Sequence, residues 1–143
     1  MRTAADFIIA IDPGREKCGI AVLTAAGAPV ERDITPTSDL PTALKALLRK
    51  HPNSHVVIGD GTSSEQAQAA IVRAIPELEL ATVPEGYSTE RALERWRDVT
   101  TLTGWRRLLP RSLRFPPGPI DDFAAWILAE DYLATLLDSP EDE

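Results

Sequence analysis

Two aliphatic stretches separated by a charged turn constrain the fold of this chain most strongly. Residues 8–23 read IIAIDPGREKCGIAVL, so an apolar run ends at Asp12, Pro-Gly follows, and the apolar pattern resumes at Cys18. Short aliphatic runs bounded by turn residues are typical of buried strands, and Pro-Gly marks a turn. The pattern therefore predicts two consecutive strands, the first of which ends in an aspartate.

The rest of the chain alternates helix and strand patterns. A third strand around APVERDIT, after a turn at Ala26 and Gly27, would complete an antiparallel meander. Helices are predicted in TSDLPTALKALLRKH, TSSEQAQAAIVRAI and STERALERWRDV, strands in HVVIGDG and LELATV, and a last helix from about Ile120 to Leu137. This order predicts a mixed three-layer α/β fold, in which helices flank a five-stranded sheet.

The sequence also predicts side-chain caps for three helices and a buried face for the last helix. The first three helices offer side-chain caps, and the candidates are Ser38 or Asp39, Thr62 or Ser63, and Ser88. The last helix has the apolar spacing of an amphipathic helix with one buried face, and its stripe consists of Ile120, Phe123, Ala124, Ile127 and Leu128.

Length and composition indicate a globular protein. The 143 residues suffice for one domain, expected over residues 1–138, and the acidic tail at residues 139–143 is expected to fray. No apolar run approaches the length of a membrane span, and the first residues lack the layout of a signal peptide. The single cysteine, Cys18, is expected in the core. These features predict a cytoplasmic protein that contacts no membrane.

Acidic residues occur where predicted strands end. Asp12, Asp60 and Glu85 each follow a strand pattern, and Asp121 and Asp122 open the last helix. Because strand ends meet at one edge of an α/β sheet, these carboxylates are expected to share a site. The plainer alternatives are that Asp12 and Asp60 are turn residues and that Glu85 is a solvated surface residue. Asp121 and Asp122 would then be first-turn acids favoured by the helix dipole.

A shared carboxylate site would need protons or a cation, because like charges a few ångströms apart repel one another. Oxygen ligands without cysteine or histidine favour Mg²⁺ or Mn²⁺, and two such ions about 4 Å apart can promote phosphodiester cleavage. Gly14 and Gly19 are expected to let the turn after Asp12 lie close to a metal or phosphate. The pattern therefore favours a metal-dependent nuclease.

Three motifs follow one another along the chain: IIAIDPGREKCGIAVL, VPEGYSTERAL and PIDDFAAWILAEDYL. These motifs and their order resemble those of the YqgF family of RNase H-like nucleases, and the resemblance spans most of the chain. That family is related to Holliday-junction resolvases and associated with pre-ribosomal RNA processing. The resemblance implies an RNase H-like nuclease fold and hydrolysis of phosphodiester bonds in structured RNA, or in branched or single-stranded DNA.

The resemblance also implies residue roles. Asp12, Glu85 and Asp121 would be the catalytic and metal-binding acids, and Asp122 is the competing choice for the last. GDGT replaces the proline-containing turn that the family usually has after its fourth strand, so Asp60 would be an additional or substitute metal ligand. Gly86 stands where the family usually has an arginine.

Positive charge is concentrated in the segment GWRRLLPRSLRFPPG. The net charge of −7 opposes binding of a polyanion, but this segment contains no acid. The residues expected to contact a nucleic-acid backbone are Lys17, Arg106, Arg107, Arg111 and Arg114. The alternative is that these side chains are only solvated. Trp96 is expected in the core, and Trp105 is either buried or a stacking surface for unpaired bases.

Two alternative functions remain besides that of a nuclease. An interaction module for nucleic acid or protein would keep the fold without efficient catalysis. A nucleotide phosphotransferase of the sugar-kinase type shares an aspartate and glycine turn after its first strand, but its two lobes need a far longer chain. Cleavage of a symmetric junction would require two active sites and hence a homodimer.

Overall fold

The computed structural model describes residues 5–85 and 88–138, so the acidic tail and Gly86 lie outside the described residues. The described ranges contain five strands and four α-helices: β1 (Phe7–Asp12), β2 (Lys17–Thr24), β3 (Pro29–Pro36), α1 (Leu40–Lys50), β4 (Ser54–Gly59), α2 (Ser64–Ala74), β5 (Leu80–Val83), α3 (Ser88–Val99) and α4 (Asp121–Asp138). The predicted order of elements and the mixed α/β class are confirmed.

The five strands form one sheet in the order β3-β2-β1-β4-β5. β1, β2 and β3 pair antiparallel, whereas β4 and β5 continue the sheet parallel to β1. The turn between β2 and β3 contains Gly27 at a φ of 97°, a left-handed conformation that favours glycine. Because β1, β4 and β5 run in the same direction, their carboxyl ends lie at one edge of the sheet.

Side chains of β1 alternate between two apolar layers. Ile8 and Ala10 pack in the layer formed with α3 and α4, and Ile9 and Ile11 pack in the layer formed with α1 and α2. Helices cover both faces of the sheet, which explains why the strand reads as an unbroken aliphatic run. The same alternation places Asp12 on the face that α4 covers.

The last helix is buried more completely than its sequence pattern indicates. An amphipathic helix with one buried face was predicted, but every residue from 123 to 129 is buried. α4 packs on the sheet on one side and against α3 on the other, and the guanidinium groups of Arg32 and Arg95 lie over the ring of Trp126. The helix therefore lacks a fully solvated face over this segment.

Two predicted side-chain caps are wrong. Asp39 and Ser63 occupy the positions before α1 and α2, but neither side chain caps its helix. A 3₁₀ turn at Thr37–Asp39 leads into α1, and the amide of Ser64 donates to the carbonyl of Gly61. Backbone turns thus take the place of caps. α3 begins at Ser88, whose side chain lies outside the described residues.

Two predictions about the core are confirmed. Cys18 and Trp96 are buried in the core. None of the helices in residues 5–85 and 88–138 is long and apolar enough to cross a membrane.

Gly19 is required for a reason that the sequence did not suggest. A Cβ atom at this position would collide with the backbone carbonyl of Asp121 and lie 2.7 Å from the amide nitrogen of Asp122. The glycine admits the first turn of α4, rather than a metal or phosphate as predicted. Since Gly19 pairs with Asp12 across β1 and β2, this contact brings the start of α4 next to the end of β1.

We expect Gly19→Ala to lower the free energy of unfolding by about 2 kcal/mol or more, because α4 must move away from the sheet. Gly118→Ala is the matched control, because a Cβ atom there would meet nothing within 4 Å. Urea denaturation measures both variants. Equal stability of Gly19→Ala and Gly118→Ala would contradict the close packing of α4 on β2.

Candidate functional site

Three carboxylates from distant parts of the sequence meet at the carboxyl edge of the sheet. The pKa of Asp12 rises from 3.8 to about 7, mainly because the group is buried and further because the charges of Glu85 and Asp121 lie nearby. Asp12 ends β1, Glu85 follows β5, and Asp121 begins α4. The structure thus brings together three of the five predicted acids as electrostatic neighbours.

Glu85 is held by the loop that follows β4. Its Oε2 accepts a hydrogen bond from the amide of Gly61 at 3.0 Å. A Cβ atom at Gly61 would lie 2.7 Å from Oε1, and one at Gly59 would also collide with the carboxylate. These two glycines therefore leave the space that Glu85 occupies, and the sequence analysis missed their role.

Asp60, in the loop after β4, is hydrogen-bonded to the loop that carries Glu85. Its side chain is exposed, and its Oδ1 accepts a hydrogen bond from the amide of Glu85 at 3.2 Å. Asp60 is not among the groups that raise the pKa of Asp12. In this arrangement Asp60 fixes the backbone that carries Glu85, and its role as a metal ligand stays a prediction.

The two aspartates at the start of α4 have different surroundings. Asp121 lines the pocket beside Asp12, whereas Asp122 forms an ion pair with Arg32 of β3 at 2.9 Å. The guanidinium group of Arg32 also lies 4.1 Å from the ring centre of Phe123. Arg32 was not identified from the sequence, because its partner is 90 residues away along the chain. These contacts favour Asp121 over Asp122 as the acid of the site.

An open pocket of about 410 Å³ lies beside the acids. Asp12 and Asp121 line it together with the turn between β1 and β2, including Arg15 and Lys17. The turn is held at Gly14, whose carbonyl accepts a hydrogen bond from the hydroxyl of Thr37 at 2.9 Å. Arg15 and Lys17 are exposed, and neither side chain is bound to another residue of the described ranges. Cations available to an anionic ligand thus stand next to the carboxylates.

The arginines of the predicted nucleic-acid contact fall into two groups. Arg111 pairs with Glu94 and Asp98 of α3 at 2.7 and 2.6 Å, and Arg114 donates to the backbone carbonyls of Arg107 and Leu109. Arg106 and Arg107 are exposed, and their side chains have no bonded partner among residues 5–85 and 88–138. The structure leaves two of the four arginines available to a ligand.

The acidic cluster suits a divalent cation in charge and donor type but not in the arrangement of its side chains. Its donors are carboxylate oxygens, which hard cations prefer. The pKa of Asp12 is raised first by burial and further by the negative charges of Glu85 and Asp121, and a cation would offset those charges. In the part of the chain that the structure describes, no three acidic, histidine or cysteine side chains are arranged to hold one ion together. The charge of the cluster fits a cation, although its side chains would have to reorient to coordinate one.

Comparisons with known proteins identify the fold. No protein-family model and no curated protein matches the chain. The structure of Thermus thermophilus RuvC is similar, with a TM-score of 0.63 and 12% identity, over 92% of this chain and 96% of that one. T. thermophilus RuvC in complex with a Holliday junction substrate matches with a TM-score of 0.60 and 14% identity, over 92% and 95%. The predicted RNase H-like fold, of the RuvC type, is confirmed.

We expect Asp12 to make the stability of the metal-free protein depend on pH. Its pKa is raised on folding, so the folded state binds its proton more tightly, and the free energy of unfolding falls as the pH rises from about 4 to about 7. A tenfold change in proton affinity is about 1.4 kcal/mol, so the effect amounts to roughly 4 kcal/mol. Asp12→Asn should therefore unfold at higher urea concentration than the wild type at pH 8 in EDTA.

The matched control for this measurement is Glu77→Gln, which removes an exposed carboxylate that precedes β5 and thus lies at the other end of that strand from Glu85. It should leave the pH profile unchanged. Mg²⁺ at pH 8 should stabilise the wild type more than Asp12→Asn. If the wild type and Asp12→Asn have parallel pH profiles, Asp12 does not have the raised pKa described above.

Proposed function

We propose that this protein is a divalent-metal-dependent nuclease that hydrolyses phosphodiester bonds. The observation that carries the proposal is the meeting of Asp12, Glu85 and Asp121 at one edge of the sheet. Packing buries Asp12 and holds Glu85 and Asp121 near it, and both effects raise the pKa of Asp12 without a structural benefit. The likeness to RuvC supports the proposal at the level of the fold.

In this proposal Asp12, Glu85 and Asp121 hold Mg²⁺ or Mn²⁺, with Asp60 as a further ligand. Such ions would activate the attacking water and stabilise the negative charge that develops on the leaving oxygen. Their charge would also lower the proton affinity of Asp12, so that this carboxylate is ionised near neutral pH. The hydrogen bonds from Gly61 to Glu85 and from the Glu85 amide to Asp60 hold the loop that carries Glu85.

The neighbouring cations bind the substrate. Arg15 and Lys17 lie at the same pocket as Asp12 and Asp121 and would contact the phosphate that is to be cleaved. Arg106 and Arg107 would contact the backbone further along the strand. In the proposal, Arg111 and Arg114 act mainly by shaping the segment that carries those two arginines.

The substrate class is proposed from two kinds of similarity. The resemblance of the sequence motifs to the YqgF family favours structured RNA, including a precursor of ribosomal RNA. The RuvC structure that contains a Holliday junction favours branched DNA. Single-stranded DNA is compatible with both. Cleavage of a symmetric junction would require a homodimer of this chain.

A second candidate function is an interaction module for nucleic acid or protein with weak catalysis. It is favoured by the carboxylates of the described residues, which are not arranged to hold an ion, and by the internal bonds that occupy Arg111 and Arg114. Under this alternative the wild type binds nucleic acid but does not cleave it.

A cleavage panel separates the two functions. Purified protein should cleave at least one of structured RNA, single-stranded DNA and a four-way junction with Mg²⁺ or Mn²⁺, and not in EDTA. Asp12→Asn, Glu85→Gln and Asp121→Asn should each lower the rate at least about 100-fold, more than the 10–100-fold typical of residues that only orient a ligand. Asp122→Asn should lower it less than about tenfold.

Glu77→Gln serves again as the control and should cleave at the wild-type rate. Cleavage that survives Asp12→Asn would contradict the proposal, since the activity would then come from elsewhere or from a contaminant. Wild-type protein that binds these nucleic acids but cleaves none of them with Mn²⁺ would favour the interaction module.

A further inference from the structure

The segment between α3 and α4 exposes large apolar side chains. Trp105 is 68% exposed and Leu108 is 78% exposed, whereas Trp96 and Trp126 are both buried. These are the three tryptophans of the sequence. An exposed tryptophan within an exposed apolar patch is typical of a binding surface rather than of a core.

The second half of this segment is bound to α3. Arg111 reaches both Glu94 and Asp98, and the Nε of Arg97 donates to the carbonyl of Arg114 at 2.9 Å. The Arg97 guanidinium also lies 5.2 Å from the ring centre of Phe115. These contacts hold residues 111–115 against α3.

The first half has a defined backbone, and its side chains have no bonded partner among residues 5–85 and 88–138. A 3₁₀ helix runs over Gly104–Leu108, with Gly104 at a φ of 65° that favours glycine. The carbonyl of Arg107 accepts a hydrogen bond from Arg114 at 3.0 Å. Trp105, Arg106 and Arg107 therefore stand together on a short helix whose backbone is held while their side chains remain available.

The helix to which this segment is bound runs antiparallel to α4. Arg91 of α3 pairs with Asp131 of α4, and Arg95, one turn later, lies over Trp126 at 4.7 Å from its ring centre. The two helices thus run in opposite directions. The carboxyl-terminal part of α3, to which the segment is bound, consequently lies towards the end of α4 that begins with Asp121.

We propose that Trp105, Arg106 and Arg107 bind an unpaired stretch of nucleic acid, with a base stacked on the indole ring and phosphates on the two guanidinium groups. The inference rests on the proposed function and deepens it: the substrate would have unpaired nucleotides near the bond to be cleaved. Base stacking on aromatic side chains is the usual way in which proteins hold single strands.

Charge favours a nucleic acid over another protein as the occupant. The unpaired side chains of this surface are cationic, so they complement a polyanion. The chain as a whole has a net charge of −7, which opposes an extensive electrostatic footprint on duplex DNA. Stacking on Trp105 would add affinity that does not depend on neutralising phosphates, and only a base outside a duplex can provide it.

Binding in EDTA tests the inference without catalysis. A single-stranded oligonucleotide and a blunt duplex of the same sequence are titrated against the wild type, Trp105→Phe and Trp105→Ala. Trp105→Ala should bind the single strand at least about tenfold more weakly and the duplex unchanged, whereas Trp105→Phe should retain most of the affinity. The single strand should also quench tryptophan fluorescence, and Trp105→Ala should abolish that quenching.

The arginines are tested by salt dependence. The double variant Arg106→Gln and Arg107→Gln should reduce the slope of the logarithm of single-strand affinity against that of salt by about 1.4, since each phosphate contact contributes about 0.7. Arg49→Gln is the control, because Arg49 is an exposed arginine on α1, which packs on the opposite face of the sheet. Arg49→Gln should reduce this slope by less than the double variant does.

The outcomes separate this inference from the nuclease. Unchanged single-strand binding by Trp105→Ala overturns the inference, even if cleavage depends on Asp12. Binding that depends on Trp105 without any cleavage by the wild type supports the inference and overturns the nuclease. If Trp105→Ala changes the molar mass in solution and leaves oligonucleotide binding unchanged, the surface joins copies of the chain and the inference is overturned.

Discussion

The close approach of α4 to β2 places Asp121 beside Asp12. Gly19 leaves no side chain between strand and helix, so the backbone of Asp121 lies directly on the sheet. Gly19 is also the partner of Asp12 in the antiparallel pair. One contact between a glycine and a helix therefore brings together two acids that are more than 100 residues apart in sequence. The ion pair of Arg32 with Asp122 holds the neighbouring aspartate on β3.

Packing energy explains how the fold tolerates a buried carboxylate, Asp12, with two acidic neighbours. The two apolar layers contain many fully buried aliphatic side chains, among them Ile9, Ile11 and Leu44, and each contributes about 1.5–3 kcal/mol. The raised pKa of Asp12, due mainly to its burial and further to the two neighbouring acids, corresponds to only a few kcal/mol, so the layers outweigh this cost. The cluster is thus an unfavourable arrangement that the core imposes, and a divalent cation is the simplest species that would relieve it.

The sequence predicted the scaffold better than the site. Apolar periodicity predicted the five strands and four α-helices of the described residues but none of the 3₁₀ helices. The pattern is clearest in residues 8–23, where both faces of the sheet are buried. The convergence of Asp12 with Glu85 was also predictable from the rule that parallel strand ends share an edge. The choice of Asp121 over Asp122, the roles of Gly59 and Gly61, and the division of the arginines depend on contacts between distant residues, such as that of Arg32, which no local pattern contains.

The most direct test of the account is to locate a bound cation by nuclear magnetic resonance. Mn²⁺ added to ¹⁵N-labelled protein broadens amide signals according to their distance from the ion. The account predicts that the amides of Gly19, Gly61 and Phe123 broaden first, because they adjoin the three carboxylates, and that Asp12→Asn weakens this effect. Broadening that spreads over the acidic surface, with no preference for these amides, would contradict the central claim that Asp12, Glu85 and Asp121 form a single cation site.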